Sequence, residues 1–209
     1  MARLTRRETQ EHTRAALVAT AKELFLSGGY NATSLGEVAD AAGYTKGAVY
    51  SNFATKHELG LAVLELVQAE RVSAILGELG DATTFEDRLA GFGRWTEANV
   101  GDIGWTALEV EFATSTRHID EVRAALATRR QLVTRRLAEL IQSEADSFGI
   151  ELEEPTLGIA TRLLALGIGL GVQRAVDPTL EVNVLVDELA RYARPSTPPS
   201  APTAQSGDG

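Results

Sequence analysis

Apolar residues recur along this chain at intervals of three and four rather than two, and no sustained run of β-branched alternation interrupts them, so the pattern predicts an all-α fold. Leu17, Val18, Ala21, Leu24 and Phe25 form one stripe, closed by Gly28-Gly29 in the manner of a left-handed C-cap. Ser34-x-x-Glu37 reads as a capping box, and Leu35, Val38, Ala39 and Ala42 give the short helix behind it a buried face before Gly43. A second box, Thr55-x-x-Glu58, opens a long helix through Leu59, Ala62, Val63, Leu66 and Val67 that ends near Gly77 or Gly80. Between the two boxes there is room for a helix of about two turns, from about Thr45 to Phe53.

Downstream, Thr83-x-x-Glu86 is expected to open a helix carrying Leu89, Phe92 and Trp95, and Asn99 to Gly104 to interrupt it. Trp105, Leu108 and Phe112 share one face of the next helix, and Val122, Leu126, Val133, Leu137, Leu140 and Ile141 mark a long one that stops near Phe148-Gly149. Pro155 fits the first turn of a helix running to Asp177-Pro178, itself the expected N-cap and first position of a last helix bearing Val182, Leu185, Val186 and Leu189. After Arg194 the chain reads PSTPPSAPTAQSGDG, with four of the six prolines and no large apolar residue, the composition of a disordered tail. The expected layout is about nine helices: a three-helix unit over 1–54, a larger helical unit over 55–194 and a tail over 195–209.

Composition narrows the chemistry. Cysteine is absent and the three histidines, His12, His57 and His118, are scattered, so no disulfide framework, metal site or cofactor is expected. The opening MARLTRRETQEHTR has charge without an apolar segment behind it, unlike a secretory signal, and the longest apolar run, Leu163 to Val172, is about half of what a membrane span needs; a cytoplasmic protein is expected. The net charge is −9 but unevenly spread: residues 1–60 hold seven basic and six acidic residues, residues 61–209 thirteen and twenty-three. Arg3, Arg6, Arg7 and Arg14 make the leading arm the most basic part, and taken alone it reads as a solvated, partly disordered N-terminus.

The stretch AAGYTKGAVYSNFATKHEL, Ala41 to Leu59, is too polar to be only core. A short helix, a glycine turn at Gly43 and a second short helix make a helix-turn-helix, the unit whose second helix enters the DNA major groove. Val49 and Phe53 lie four apart and can pack that helix inward, which leaves Lys46, Gly47, Ala48, Tyr50 and Ser51 facing out. Small residues permit close approach to a duplex, Lys46 can reach a phosphate or a guanine edge, and the Tyr50 hydroxyl can donate to a phosphate. Lys56 sits at a helix start, where N–H groups also favour an anion.

TSLGEVADAAGYTKGAVYSNFATKHEL, Thr33 to Leu59, resembles the DNA-binding segment of the TetR family of bacterial transcriptional regulators, and the length and helix layout resemble that family too. The resemblance implies a homodimeric regulator, usually a repressor, that binds a double-stranded DNA operator, expected to be palindromic, and is released from it by a small molecule. It implies DNA contacts at Ser34, Lys46, Gly47, Ala48, Tyr50, Ser51, Asn52 and Lys56, with Thr33 and Thr45 near the backbone. Ser51 and Asn52 stand where many members have an aromatic residue and a histidine, and Gly36 where some have a long base-reading side chain, so the operator sequence does not carry over. A helical dimeric interaction protein without specific DNA binding is the alternative.

For an effector pocket, the bulky residues Phe92, Trp95, Trp105, Leu108 and Phe112 are candidates either to line a cavity or to fill the core. Glu109 lies on the same expected buried face, and a buried carboxylate needs a partner: Arg94, Arg117 or Arg162, or else a polar or cationic group on an effector. Leu157, Ala160, Leu164, Ile168 and Val172, with Val182, Leu185, Val186 and Leu189, form two apolar stripes near the C-terminus that one helix pair cannot shield. The resemblance implies that these helices pair with their copies in a four-helix bundle, Gly167, Gly169 and Gly171 allowing close approach. The chain shows no nucleophile elbow, H-E-x-x-H, phosphate loop or paired carboxylates in distinct contexts, so no enzymatic activity is expected.

Overall fold

The computed structural model of the chain describes residues 5–80 and 82–195. It is built from α1 (Arg6–Gly28), α2 (Leu35–Ala42), α3 (Lys46–Asn52), α4 (Lys56–Leu79), α5 (Phe85–Asn99), α6 (Ile103–Ser115), α7 (Asp120–Phe148), α8 (Thr156–Arg174) and α9 (Val184–Arg191). A short antiparallel pair, β1 (Ile150–Leu152) with β2 (Ala193–Pro195), joins the ends of the last helices. The all-α expectation holds apart from this pair, which three-residue strands do not announce in a sequence.

Side-chain caps set most of the boundaries. Ser34 accepts from Glu37 N while Glu37 accepts from Ser34 N, the full box, and Gly43 ends α2 at φ 72°, where a Cβ would strain. Thr55 caps α4 through Glu58 N, but the Glu58 carboxylate reaches back to Ala54 N instead of Thr55 N. The basic arm corrects the sequence reading: Thr5 and Glu8 form a capping box, so Arg6, Arg7 and Arg14 are helical, while Arg3 lies outside the described residues. The cap of α5 is Thr84, bonded to Asp87 N, one residue beyond the expected Thr83. Pro155 is the N-cap of α8 rather than its first residue. Asp177-Pro178 starts no helix; the Asp177 carboxylate takes the N–H and hydroxyl of Thr179 in a local turn, and α9 begins only at Val184. Pro195, assigned to the tail, pairs with Ile150, and the rest of the expected disordered tail, 196–209, lies outside the described residues.

Two apolar cores result. The first joins Leu17, Ala21, Phe25, Val38, Val49 and Phe53 of α1 to α3 with Leu59, Val63, Leu108 and Phe112, so α4 and α6 complete the core of the three short helices. The second joins Ala138, Ile141, Ile159, Leu163, Leu170, Leu185 and Tyr192 of α7 to α9. At the junction of α4 and α6 a Cβ on Gly60 would lie 2.4 Å from the Phe112 ring, so only glycine admits that crossing.

α8 leaves much of its apolar surface uncovered. It is 19 residues long and apolar enough to cross a membrane, with mean hydropathy 1.4 over an 18-residue window, yet it packs along α7 and against α6 and α9. Leu157 and Val172 are exposed and Leu164, Gly167 and Ile168 half-buried along one side. Of the other residues assigned to a subunit interface, Val186 and Leu189 are half-buried. Val182, Leu185 and Gly171 correct the reading: all three are buried inside the subunit, Gly171 against Thr106 of α6, and offer no face to a partner.

Candidate nucleic-acid interface

α3 is anchored from beneath by Val49 and Phe53, both fully buried. Thr45 caps it through Ala48 N at 3.1 Å, and Phe53 N closes its last turn on Val49 O at 2.9 Å. Arg14 of α1 adds a fastening that periodicity misses: its guanidinium lies 4.1 Å from the Phe53 ring centre and donates to Asn52 O at 2.9 Å. Lys46, Gly47, Tyr50 and Ser51 are exposed as a group, Tyr50 at 60%. The Lys46 side chain lies across α2, where a Cβ on Gly36 would meet its Cε at 3.2 Å. Gly36, which stands where some members of the resembled family have a long side chain, thus leaves space for the lysine.

The remaining candidates divide by what their polar atoms already do. Ser34 and Thr45 are exposed N-caps with their oxygens engaged by backbone N–H groups. Ala48 is half-buried; its carbonyl accepts from Ser51 Oγ at 2.9 Å and Asn52 Nδ2 at 2.8 Å, so both side chains spend a donor on their own helix. Thr33 is buried, its hydroxyl donated to Gly29 O, and shapes the loop from within. Lys56 is half-buried; its ammonium donates to Asn31 O at 3.2 Å and lies 4.3 Å from the centre of the Tyr30 ring. Partial burial lowers its pKa, against the opposing fields of Glu111 and Glu37.

Glu111 of α6 is the residue that sequence reasoning missed. Its two carboxylate oxygens accept from Tyr30 N at 2.8 Å and Asn31 N at 2.9 Å, two backbone N–H groups of the loop just beyond the Gly29 cap of α1. Asn31 Nδ2 donates to Ser115 Oγ at 2.8 Å, the Tyr30 hydroxyl meets His57 Nδ1 at 2.9 Å, and the Tyr30 ring stands edge-on to Phe112 and Phe25. Burial and the nearby Glu111 charge push the Tyr30 phenol up to about 12. The far half of α6 therefore grips both the α1–α2 loop and the start of α4. The one signal in the sequence is an acidic residue beside the buried Phe112 on a helix otherwise poor in charge, and nothing local says what it meets.

The six effector-pocket candidates do not converge. Trp105, Leu108 and Phe112 are buried in the first core, Phe92 packs on the second, and Trp95 stacks on Phe92 with ring centres 6.2 Å apart. Glu109 pairs with Arg130 at 3.2 Å rather than with the arginines named as candidates: Arg94 pairs with Glu78, Arg162 with Glu154, and Arg117 donates to Thr114 O. One surface groove runs along α7 beside Glu139, Gln142 and Asp146 and another lies by Gly77, Asp87 and Arg94; neither touches the six. Among the described residues no acidic or histidine cluster suits a metal ion.

A family model described as bacterial regulatory proteins, tetR family, matches residues 17–63. The transcriptional regulator AcrR of Shigella flexneri is 43% identical over 79 residues, covering 38% of this chain and 34% of that protein. The chain thus matches about a third of the length of this curated relative. The crystal structure of reduced E. coli NemR superposes over 88% of this chain and 100% of its own, with TM-score 0.70 at 21% identity. A proposed transcriptional regulator from Saccharomonospora viridis, solved in complex with choline, covers 87% and 95% with TM-score 0.65 at 18% identity. The helix-turn-helix segment of the chain, residues 17–63, thus matches the tetR family of bacterial regulatory proteins, and the helical body shares the fold of the solved regulators.

Proposed function

We propose that this protein is a homodimeric, ligand-responsive transcriptional regulator of the cytoplasm, a repressor that a small molecule releases from its operator, with residues 1–54 reading DNA and 55–194 binding effector and partner. The observation that carries the reading is the polar face of α3: Lys46, Gly47, Tyr50 and Ser51 exposed over two fully buried anchors, Val49 and Phe53. Lys46 and Tyr50 contact phosphate or base edges, the caps of α2 and α3 lie against the backbone, and Lys56 leaves the Tyr30 face for a phosphate when DNA is present. The uncovered side of α8 supports a two-fold pairing that presents α3 twice, about 34 Å apart or a multiple of it. An effector that favours one separation of the two α3 helices changes DNA affinity by linkage.

The test is a fluorescence-anisotropy titration of the full chain against DNA flanking its own gene. Lys46→Ala and Tyr50→Phe should weaken specific binding with the dimer intact, and Lys46→Ala should lower the salt slope by about one unit. Unchanged affinity and slope in both variants would remove α3 as the reading element; only non-specific binding by the wild type would favour a helical interaction protein.

A further inference from the structure

The basic arm has no task in the reading above. In the fold it is the opening of α1, capped by Thr5 and Glu8. Residues 5–14 are exposed except for half-buried Thr13, and the first buried residue of the helix is Leu17. Among the described residues, the side chains of 5–13 hydrogen-bond only within the stretch. Glu8 accepts from Thr5 N, Arg7 donates to Glu11 at 2.8 Å, and Thr9 and Thr13 donate to carbonyls one turn back. A helical stretch this short that packs on nothing is marginal in water. Its cap and ion pair therefore hold out a polar surface that the subunit itself does not use.

Arg14 sets where that surface lies. Its guanidinium, donated to Asn52 O and seated over the Phe53 ring, fixes this part of α1 beside the last turn of α3. Arg7, Gln10 and Arg14 are spaced by three and four, and they continue toward the N-terminus the stripe that Leu17, Ala21 and Phe25 bury. The side of α1 that faces the first core thus turns from apolar to cationic and polar where it passes α3. Of the two acids in the stretch, Glu8 spends its carboxylate on the cap and Glu11 holds Arg7. The side chains of Arg7 and Glu11 are 88% and 61% exposed, and an ion pair so open to water yields readily to a phosphate. From Arg14 to Arg7 the helix rises about 10 Å, close to the ~12 Å width of a major groove.

We propose that the exposed opening of α1 is a second DNA contact, in which Arg7, with Arg6 beside it, takes phosphates of the strand bordering the groove that α3 enters. The inference rests on the reading of α3 as the DNA-reading helix and widens that interface. Duplex DNA is the occupant because the cationic side of α1 is continuous with the polar side of α3 through Arg14 and Asn52, and because a guanidinium matches a phosphate in charge and in hydrogen-bond geometry. Arg14 is the positioning residue: its own donors stay with Asn52 while it fixes the angle at which Arg7 is offered. Contacts of this kind hold the protein on the backbone without discriminating between sequences.

Anisotropy titrations of the full chain at stepped salt decide it. The double variant Arg6→Ala with Arg7→Ala should flatten the plot of log affinity against log salt by about two units, one for each phosphate released. It should weaken binding to operator and to unrelated DNA by the same factor. Arg94→Ala with Arg123→Ala removes the same charge from exposed ion pairs on α5 and α7 and should keep the wild-type slope. Arg6→Lys with Arg7→Lys keeps both charges and should keep the slope as well. An unaltered slope in the first variant, an equal flattening in the α5 and α7 control, or an equal flattening in the lysine variant would overturn the contact. The reading of α3 is scored separately. Absent operator binding by the wild type, or unchanged affinity in Lys46→Ala and Tyr50→Phe, sinks that reading, whereas binding weakened in those two with the wild-type slope kept in Arg6→Ala with Arg7→Ala sinks the second contact alone.

Discussion

Tyr30 shows how one residue serves both packing and electrostatics. Its ring is buried between Phe25 and Phe112, its hydroxyl meets His57 and its backbone N–H is held by Glu111. The phenol, ordinarily near 10, is raised to about 12 in the fold, first by burial and then by the Glu111 charge. A raised pKa favours the protonated form, so this contribution is complete below pH 10 and lost as pH climbs toward 12. Tyr30→Phe is therefore expected to flatten the alkaline limb of stability over that interval, measured by urea unfolding at stepped pH; an unchanged limb would show that Tyr30 does not carry it. The burial of Tyr30 was not legible in the sequence, because it follows Gly28-Gly29 in what reads as a loop.

At the scale of elements, α6 ties the helical body to the helix-turn-helix unit. Glu111, Phe112 and Ser115 all engage the stretch from Tyr30 to Asn31. Glu111→Gln exchanges a two-oxygen acceptor for one oxygen and an N–H donor facing another N–H. The expected loss is on the order of 2 kcal/mol of stability, with weaker operator binding that Glu111→Asp restores in part. Hydrogen exchange at the Tyr30 and Asn31 amides checks the cause: protection there equal to wild type in Glu111→Gln would show that the carboxylate does not hold the loop. Helix ends followed their caps closely because a cap is a contact within four residues, and the failures at Thr83 and at Asp177-Pro178 share that origin. Thr84 and Thr83 both offer a hydroxyl, and Asp177 satisfied Thr179 in a turn rather than opening a helix.

For the whole molecule, the uncovered side of α8 carries the expectation of a dimer. Leu157 and Val172 are 53% and 41% exposed, with half-buried Leu164 and Ile168 between them on the same side. An apolar stripe of this length is normally buried against a partner. Ile168→Asp together with Val172→Asp should convert a dimer into a monomer by size-exclusion chromatography with light scattering, and operator affinity should fall with it because one half-site contact is lost. An unaltered dimer would place the interface elsewhere. The apolar stripes on the last two helices were legible in the sequence; which of their residues the subunit keeps for itself was not, and Val182, Leu185 and Gly171 proved internal.

By itself the sequence determined the helices, most of their caps, the turn at Gly43 and the two anchors beneath α3, because each depends on residues within a few positions of one another. Only the tertiary structure decided that Glu111 holds Tyr30 across 81 positions, that Glu109 belongs to Arg130, and that β1 pairs with β2. The physical reason is range. Hydrogen bonds within a turn are fixed by spacing, whereas the pairing of a charge depends on which distant helix crosses it once two apolar cores have closed.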